Sequence, residues 1–564
     1  MNSFKDILSS NRWLFAKLLL AWFALNIVQA IFTEIGNDEA YYWVYSQFLD
    51  WGYYDHPPMV ALIIRLGSFF FDGELGARFF TALIQLPFLL IVFKLIDVEP
   101  TKKSILVFFT VAFSVVMIQA YGFVAAPDGP MLLFSALFLL GYKHFLQKES
   151  FGNAALMGLS MALLLYSKYH GVLLIGFVVL SNLKLLLNYK FYLAGIFALI
   201  LLIPHMVWQY ENNFPSITYH LVQRSSYFKV NEFFEFLANQ LAVFHPLTLG
   251  ALFYVIFKRK ISNLFERALV FIVLGFFIFF TLSNFKGYVN PHWTVALSVA
   301  LVILVVREAL VNDKLQRFVF KWIAPSLVLL LIARVILIFD ILPLKTEWHG
   351  HKQRMKDFGV VANNTPVIFF NRFQEPSKYM FYTGKAVHSH GQIYYFRNTQ
   401  FDLWRFDEKF RGDTVMLFVD PASPGAIKNT VDNREYFALM VPNYRPYKLL
   451  KVEVDSIVSN LYREISTSIP VIVTNLYEQV FDFNHSSMPI GFSIVISNKY
   501  KVFHTINATY SVNATLLNPN ESTKGLVTFA IPNEFVGEYK LWVCHNALNF
   551  GNVTISPFIN VNIQ

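Results

Sequence analysis

Two adjacent carboxylates, Asp38 and Glu39, open a short stretch that also holds seven Tyr and Trp residues (Tyr41, Tyr42, Trp43, Tyr45, Trp51, Tyr53, Tyr54) and a rigid Asp55-His56-Pro57-Pro58 corner. An ionised carboxylate within reach of an incoming hydroxyl takes its proton, which is general-base work. Further along, Asp128 opens an apolar run in AAPDGPMLLF, and Lys168 stands between two apolar runs with almost no loop to solvate it. Ionisable groups at membrane depth are functional candidates by default. With His56 and Arg224, Lys168 supplies candidate cations, and fixed cations stabilise a departing phosphate best where water is scarce. Each residue has a plainer explanation. Asp128 also suits a helix N-terminus, and Lys168 also suits a side chain reaching to the interface. The Tyr and Trp rings favour a membrane–water interface whether or not chemistry happens there.

Positioning such groups falls to a membrane bundle. Of 564 residues, 55% are hydrophobic and 15% charged, with a mean hydropathy of +0.46. Soluble domains carry about 25% charged residues. Apolar runs long enough to cross a bilayer of about 30 Å fall near 12–32, 76–96, 104–124, 128–147, 153–168, 170–188, 190–210, 235–257, 265–283, 290–306 and 320–341, about eleven spans in all. No small-residue cleavage site follows the first, so it reads as an uncleaved transmembrane helix. Alternate loops sort by charge. Lys102 and Lys103, Lys143 and Lys148, Lys184 and Lys190, Lys258-Arg259-Lys260 and Arg307 to Lys321 fall on one side, the cytoplasmic one by the positive-inside rule. That places the N-terminus inside and the Asp38 loop, Asp128, Lys168, Arg224 and Trp293 together outside.

The expected domains are a membrane part over 1–345, with its first outer loop at 33–75, a small α/β domain over 346–450, and a β-sandwich over 451–564. The α/β domain shows strand-like runs at Pro366 to Phe370, Ala386 to His388 and Thr414 to Val419, and a helix-like run at Gln374 to Tyr382. Short alternating segments broken by Asn, Pro and Gly every 8–12 residues or so indicate the sandwich. No phosphate loop, dinucleotide fingerprint, CxxC pair or HExxH helix occurs. The single cysteine, Cys544, excludes an intrachain disulfide. The net charge of +9 lies in loops between apolar runs, which excludes a nucleic-acid partner as its explanation.

The ordered pieces GNDEAYYW, LDWGYYDHPP, APDGPMLLF, YSKYHGVLL and NPHW resemble the C-type glycosyltransferases of the protein-mannosyltransferase and aminoarabinose-transferase branch, over roughly residues 10–340. The resemblance implies an inverting transfer of a sugar from a polyprenyl-phosphate donor to an extracytoplasmic acceptor (a protein, lipid A or another glycolipid, or a wall polymer) at an inner membrane. It makes Asp38 the base, Glu39 a supporting carboxylate and Asp128 a second acidic residue. It places His56, where relatives often carry Lys, with Lys168 and Arg224 on the donor phosphate. Tyr53, Tyr54, Tyr169, His292 and Trp293 become candidate substrate contacts. A divalent metal finds little support, because Asp55, His220 and His292 are scattered single residues of a kind more often structural. Two rival readings are a transporter of lipid-linked sugar and an assembly scaffold. The acidic pair lies in a loop and no repeated halves are visible, unlike many transporters.

Overall fold

The computed structural model describes residues 10–220, 229–342, 345–395, 398–455, 459–498, 502–547 and 549–564. It divides into two compact units, Met1–Gln353 and Arg354–Gln564.

The first unit is helical. Its opening elements are α1 (Ser10–Phe32), α2 (Asn37–Gln47), α3 (Met59–Phe70), α4 (Gly73–Ile96), α5 (Lys102–Ser114), α6 (Val116–Ala120), α7 (Asp128–Gln147), α8 (Phe151–Ser167), α9 (Gly171–Ser181) and α10 (Tyr189–Glu211). Among the described residues seven helices are long and apolar enough to cross a membrane. The pair Val230–Phe244 and Pro246–Lys258, bent by 97°, makes an eighth. His245 stands at the bend with φ 66° and Pro246 follows it, so the helix cannot run straight through. The runs expected near 104–124, 153–168 and 170–188 form shorter helices, so length alone does not yield eleven spans. α5 ends at Ser114, α8 at Ser167 before Lys168, and α9 at Ser181 before Asn182. α7 packs against α4 and α8, and α8 against α10. At the ends remote from Asp38, Glu266 holds Arg259 (2.6 Å) and Arg307 (3.1 Å), and Lys143 holds Asp97 (3.0 Å).

The second unit carries the predicted strands within a residue or two: β1 (Val367–Phe370), β2 (Val387–His390) and β3 (Val415–Phe418), then β4 (Ile427–Val431) and β5 (Arg434–Val441). The sheet order is β2-β1-β3-β5-β4, parallel at β1 and antiparallel beyond β3. Two further sheets, of five and four strands, follow. One buried cluster runs from Ile368, Val415 and Leu417 through Val471, Ile494, Phe529 and Val543. That cluster holds residues from both sides of 450.

Three buried histidines, His388, His390 and His545, sit in this core. Tyr447 joins two of them: its hydroxyl meets His390 Nε2 at 2.9 Å and its carbonyl meets His545 Nε2 at 2.8 Å. Burial lowers His545 to about 4, and burial with nearby Lys448 lowers His390 well below its usual range. An unfolded histidine titrates near 6.5, so the unfolded state takes up protons first as pH falls. Stability is complete above about 6.5 and declines by roughly 1.4 kcal/mol per pH unit per histidine below it, levelling under the folded values. Hydrogen exchange at 387–390 and 537–547, corrected for intrinsic rates, is expected to accelerate between pH 7 and 5.

Candidate active site

The loop after α1 is built on a glycine. Gly36 is extended and donates its N–H to Glu39 Oε2 at 2.9 Å, which starts α2. A Cβ at Gly36 would stand 2.9 Å from both Glu39 Oε2 and Trp348 Nε1, so no other residue fits without rearrangement.

Glu39 is buried and gripped by Arg78 of α4, Nε to Oε1 at 2.7 Å and Nη2 to Oε2 at 2.5 Å. The same guanidinium donates to the carbonyls of Ala30 (3.2 Å), Thr33 (2.6 Å) and Glu34 (2.9 Å), where α1 ends. A helix leaves its last carbonyls without intrahelical partners, and Arg78 takes them up. Glu39 Oε1 also accepts the Ala125 N–H at 2.8 Å, three residues before Asp128. This one carboxylate thus ties together the end of α1, the start of α2, α4 and the turn that presents Asp128.

Asp38 is exposed. Tyr121 hydrogen-bonds Asp128 and lies within electrostatic reach of Asp38. Burial, the Asp128 charge and hydrogen bond, and the Asp38 charge all push the Tyr121 phenol up. Asp128 makes no side-chain cap on its own helix. Both its oxygens receive Lys168 Nζ instead, at 2.7 and 2.8 Å, with each side chain only 4% exposed. The plainer explanations of Asp128 as a cap and Lys168 as an interfacial lysine therefore both fall to one buried ion pair.

The Asp55-His56 corner splits its two residues. Asp55 turns inward and accepts the Tyr45 hydroxyl at 2.6 Å. His56 sits edge-on to Tyr42 at 5.3 Å. Burial, opposed by Asp55 and Asp128 and assisted by Lys168 and His220, lowers it to about 4. Near pH 7 it is a neutral hydrogen-bonding ring rather than the fixed cation expected of that position. His170, just before α9, is lowered by burial and by Lys168, His220, His292 and His56.

The expected aromatic contacts divide. Tyr53 is fully buried, stacks on Tyr45 at 4.1 Å and has its hydroxyl among Tyr45 O, Phe48 O and Asp50 N. It frames the loop, and no ring face is open to a ligand. Tyr54 is buried against Tyr219 at 5.6 Å. Tyr169 donates toward Ser216 (2.9 Å), accepts from Gln209 (2.9 Å) and lies 3.2 Å from His205 Nε2, joining the loop to α10. Trp293, beside His292 in the Pro291–Leu297 turn, packs 4.8 Å from His170. Arg224 lies outside the described residues. Among the described residues no three His, Cys, Asp or Glu side chains stand close enough to hold a metal ion.

Sequence reasoning missed Arg78, Tyr121, His170 and Arg334. The signal for the arginines was present, since both interrupt apolar helices. Arg334 is buried, bonds Gln29 (3.0 Å), Gln119 (3.2 Å) and Asn26 (2.9 Å), and lies over the Trp22 and Phe123 rings.

Residues 55–208 match the family described as dolichyl-phosphate-mannose-protein mannosyltransferase. The lipid A galacturonosyltransferase RgtD of Rhizobium johnstonii is 27% identical over 296 residues, which are 49% of this chain and 60% of that relative. The match thus spans about three fifths of the length of the curated relative. Crystal structures of ArnT from Cupriavidus metallidurans share the fold at a TM-score of 0.54. The apo form is 14% identical and covers 76% of this chain and 97% of that one. The form bound to undecaprenyl phosphate is 16% identical and covers 77% and 98%. The shared architecture gives this chain the fold of the ArnT structures, and the family match and the curated relative are what its sequence is similar to.

Proposed function

We propose that the chain is an integral inner-membrane glycosyltransferase that moves one sugar from a polyprenyl-phosphate donor to an acceptor on the extracytoplasmic face. Asp38 takes the proton from the acceptor hydroxyl, the hydroxyl oxygen attacks the sugar carbon, and the bond from that carbon to the phosphate oxygen breaks. The electron pair leaves on the phosphate, and displacement in one step inverts the sugar carbon. Asp128 with Lys168, His56 and Arg224 serve the phosphate side, and the lipid tail lends binding energy to positioning. The reading requires no resident metal. It rests above all on the exposed Asp38 carboxylate and a buried Asp128–Lys168 pair at one end of the bundle, the two carboxylates both within electrostatic reach of Tyr121. The relative acting on lipid A and the structure holding undecaprenyl phosphate favour a lipid-linked donor and a lipid A acceptor over a protein one. In this arrangement the N-terminus is cytoplasmic and the second unit extracytoplasmic, available to orient the acceptor.

The test is lipid analysis of cells lacking the protein. Accumulated polyprenyl-phosphate sugar, with lipid A lighter by one sugar, is expected. Unchanged lipid A with altered sidedness of the carrier would replace this reading with a transporter.

A further inference from the structure

During transfer the phosphate changes from a singly charged diester to a doubly charged monoester, so the site must accommodate one added negative charge. Lys168 is a permanent cation within electrostatic reach of the corner, and it is already matched on both oxygens of Asp128. What surrounds that pair is a set of imidazoles. His56 comes from the corner before α3, His170 from the start of α9, His220 from the segment after α10, and His292 from the Pro291–Leu297 turn. His170 lies within electrostatic reach of Lys168, His220, His292 and His56, and His56 within reach of Asp55, Lys168, His220 and Asp128. His220 Nε2 meets the Asp55 carbonyl at 3.3 Å, and its ring lies 5.8 Å from Tyr169. Trp293 at 4.8 Å and Phe280 at 5.4 Å wall His170 with apolar rings.

Two of these rings hold an unmet hydrogen-bonding atom. Nδ1 of His56 and Nδ1 of His170 are both shielded from solvent and have no hydrogen-bond partner among the described residues. A shielded polar atom without a partner costs free energy, and its persistence asks for a ligand that satisfies it. A bound carboxylate or phosphate oxygen does so, and its charge also favours the protonated ring.

We infer that His170, together with His56, holds the phosphate of the polyprenyl carrier and takes up a proton from solvent as the dianionic monoester forms or binds. The added charge is then met by an imidazolium, not by a permanent cation. The proton leaves again when the carrier departs, so the grip is strong on the dianion and weak on the empty site. The inference rests on the lipid-phosphate donor reading and extends it to a residue with no assigned role.

The experiment is calorimetric titration of undecaprenyl phosphate into the full chain in lipid nanodiscs, at pH 8, in HEPES and in Tris. Their different ionisation heats report protons exchanged on binding. At this pH the free monoester is mostly dianionic. Uptake of about one proton per ligand is expected, with affinity tightening up to about tenfold per pH unit between 8.5 and 7.5. His170→Gln and His56→Gln are each expected to reduce the uptake by at least half while thermal unfolding stays close to wild type. Wild-type binding without proton uptake overturns the inference and leaves the donor reading standing. Uptake unchanged in both variants overturns it too, because the proton would then sit on the phosphate. Absence of binding at any pH overturns both. If one of the two variants does not fold, the other carries the same test.

Discussion

Asp38→Asn is expected to lower sugar transfer by about 10²–10⁴-fold, the usual contribution of a positioned general base. The amide keeps the shape and the hydrogen-bonding reach of the side chain but cannot accept the acceptor's proton. Because Asp38 is exposed and its amide keeps the same shape, the fold is expected to survive. Buried bonds that hold the loop belong to Glu39, which receives Gly36, Arg78 and Ala125. The two neighbours therefore separate cleanly. The Asp38 variant should bind undecaprenyl phosphate as wild type does and fail only in turnover, in membranes supplied with a labelled polyprenyl-phosphate sugar and lipid A. Full transfer by Asp38→Asn would end the assignment of Asp38 as base. Loss of carrier binding in the same variant would move Asp38 to the phosphate side of the reaction.

What was legible in the sequence follows the range over which each signal acts. The Asp38 to Pro58 stretch announced itself because carboxylates, aromatics and prolines lie within one short run. The strands β1, β2 and β3 were legible because their apolar runs end at turn residues. Pairing across the fold was not legible. Lys168 and Asp128 were each weighed alone against a local explanation, yet they answer each other across 40 residues. Arg78 lies 39 residues from Glu39. In a hydropathy scan it is one tolerated charge within a long apolar helix, so its role as the fastener of the first loop stays hidden. The runs expected near 104–124 and 170–188 extend past α5 and α9 because flanking apolar residues continue beyond the point where the backbone turns, whereas the short run at 153–168 matches α8. What covers the strands on either side of 450 was not legible for a related reason. Alternation reports which face of a strand is buried, not what covers it, and in this unit the two strand-rich parts cover each other.

Removal of either half of the Glu39–Arg78 pair should cost more stability than any other single change in the first unit. Arg78 is fully buried and Glu39 nearly so. Breaking a buried ion pair by deleting one partner typically costs about 3–5 kcal/mol, because the other charge stays behind without compensation. Arg78→Met leaves the Glu39 carboxylate stranded and also releases the carbonyls of Ala30, Thr33 and Glu34. Glu39→Gln gives the guanidinium one neutral side-chain acceptor in place of the carboxylate, beside the three backbone carbonyls, and frees Gly36 or Ala125. Each is expected to lower the thermal midpoint of the first unit by several degrees. The double variant, Glu39→Gln with Arg78→Met, should lose less than the sum of the two, since no charge is stranded in it. If the losses simply add, the pair is two independent contacts rather than one coupled fastener. The double variant should nevertheless stay poor in transfer. Without the Glu39 carboxylate the bond from Ala125 to α2 is weakened or lost, and the separation of Asp38 from Asp128 is set less firmly. Recovery of stability without recovery of transfer is the result that would assign Glu39 and Arg78 to positioning and leave the chemistry to Asp38.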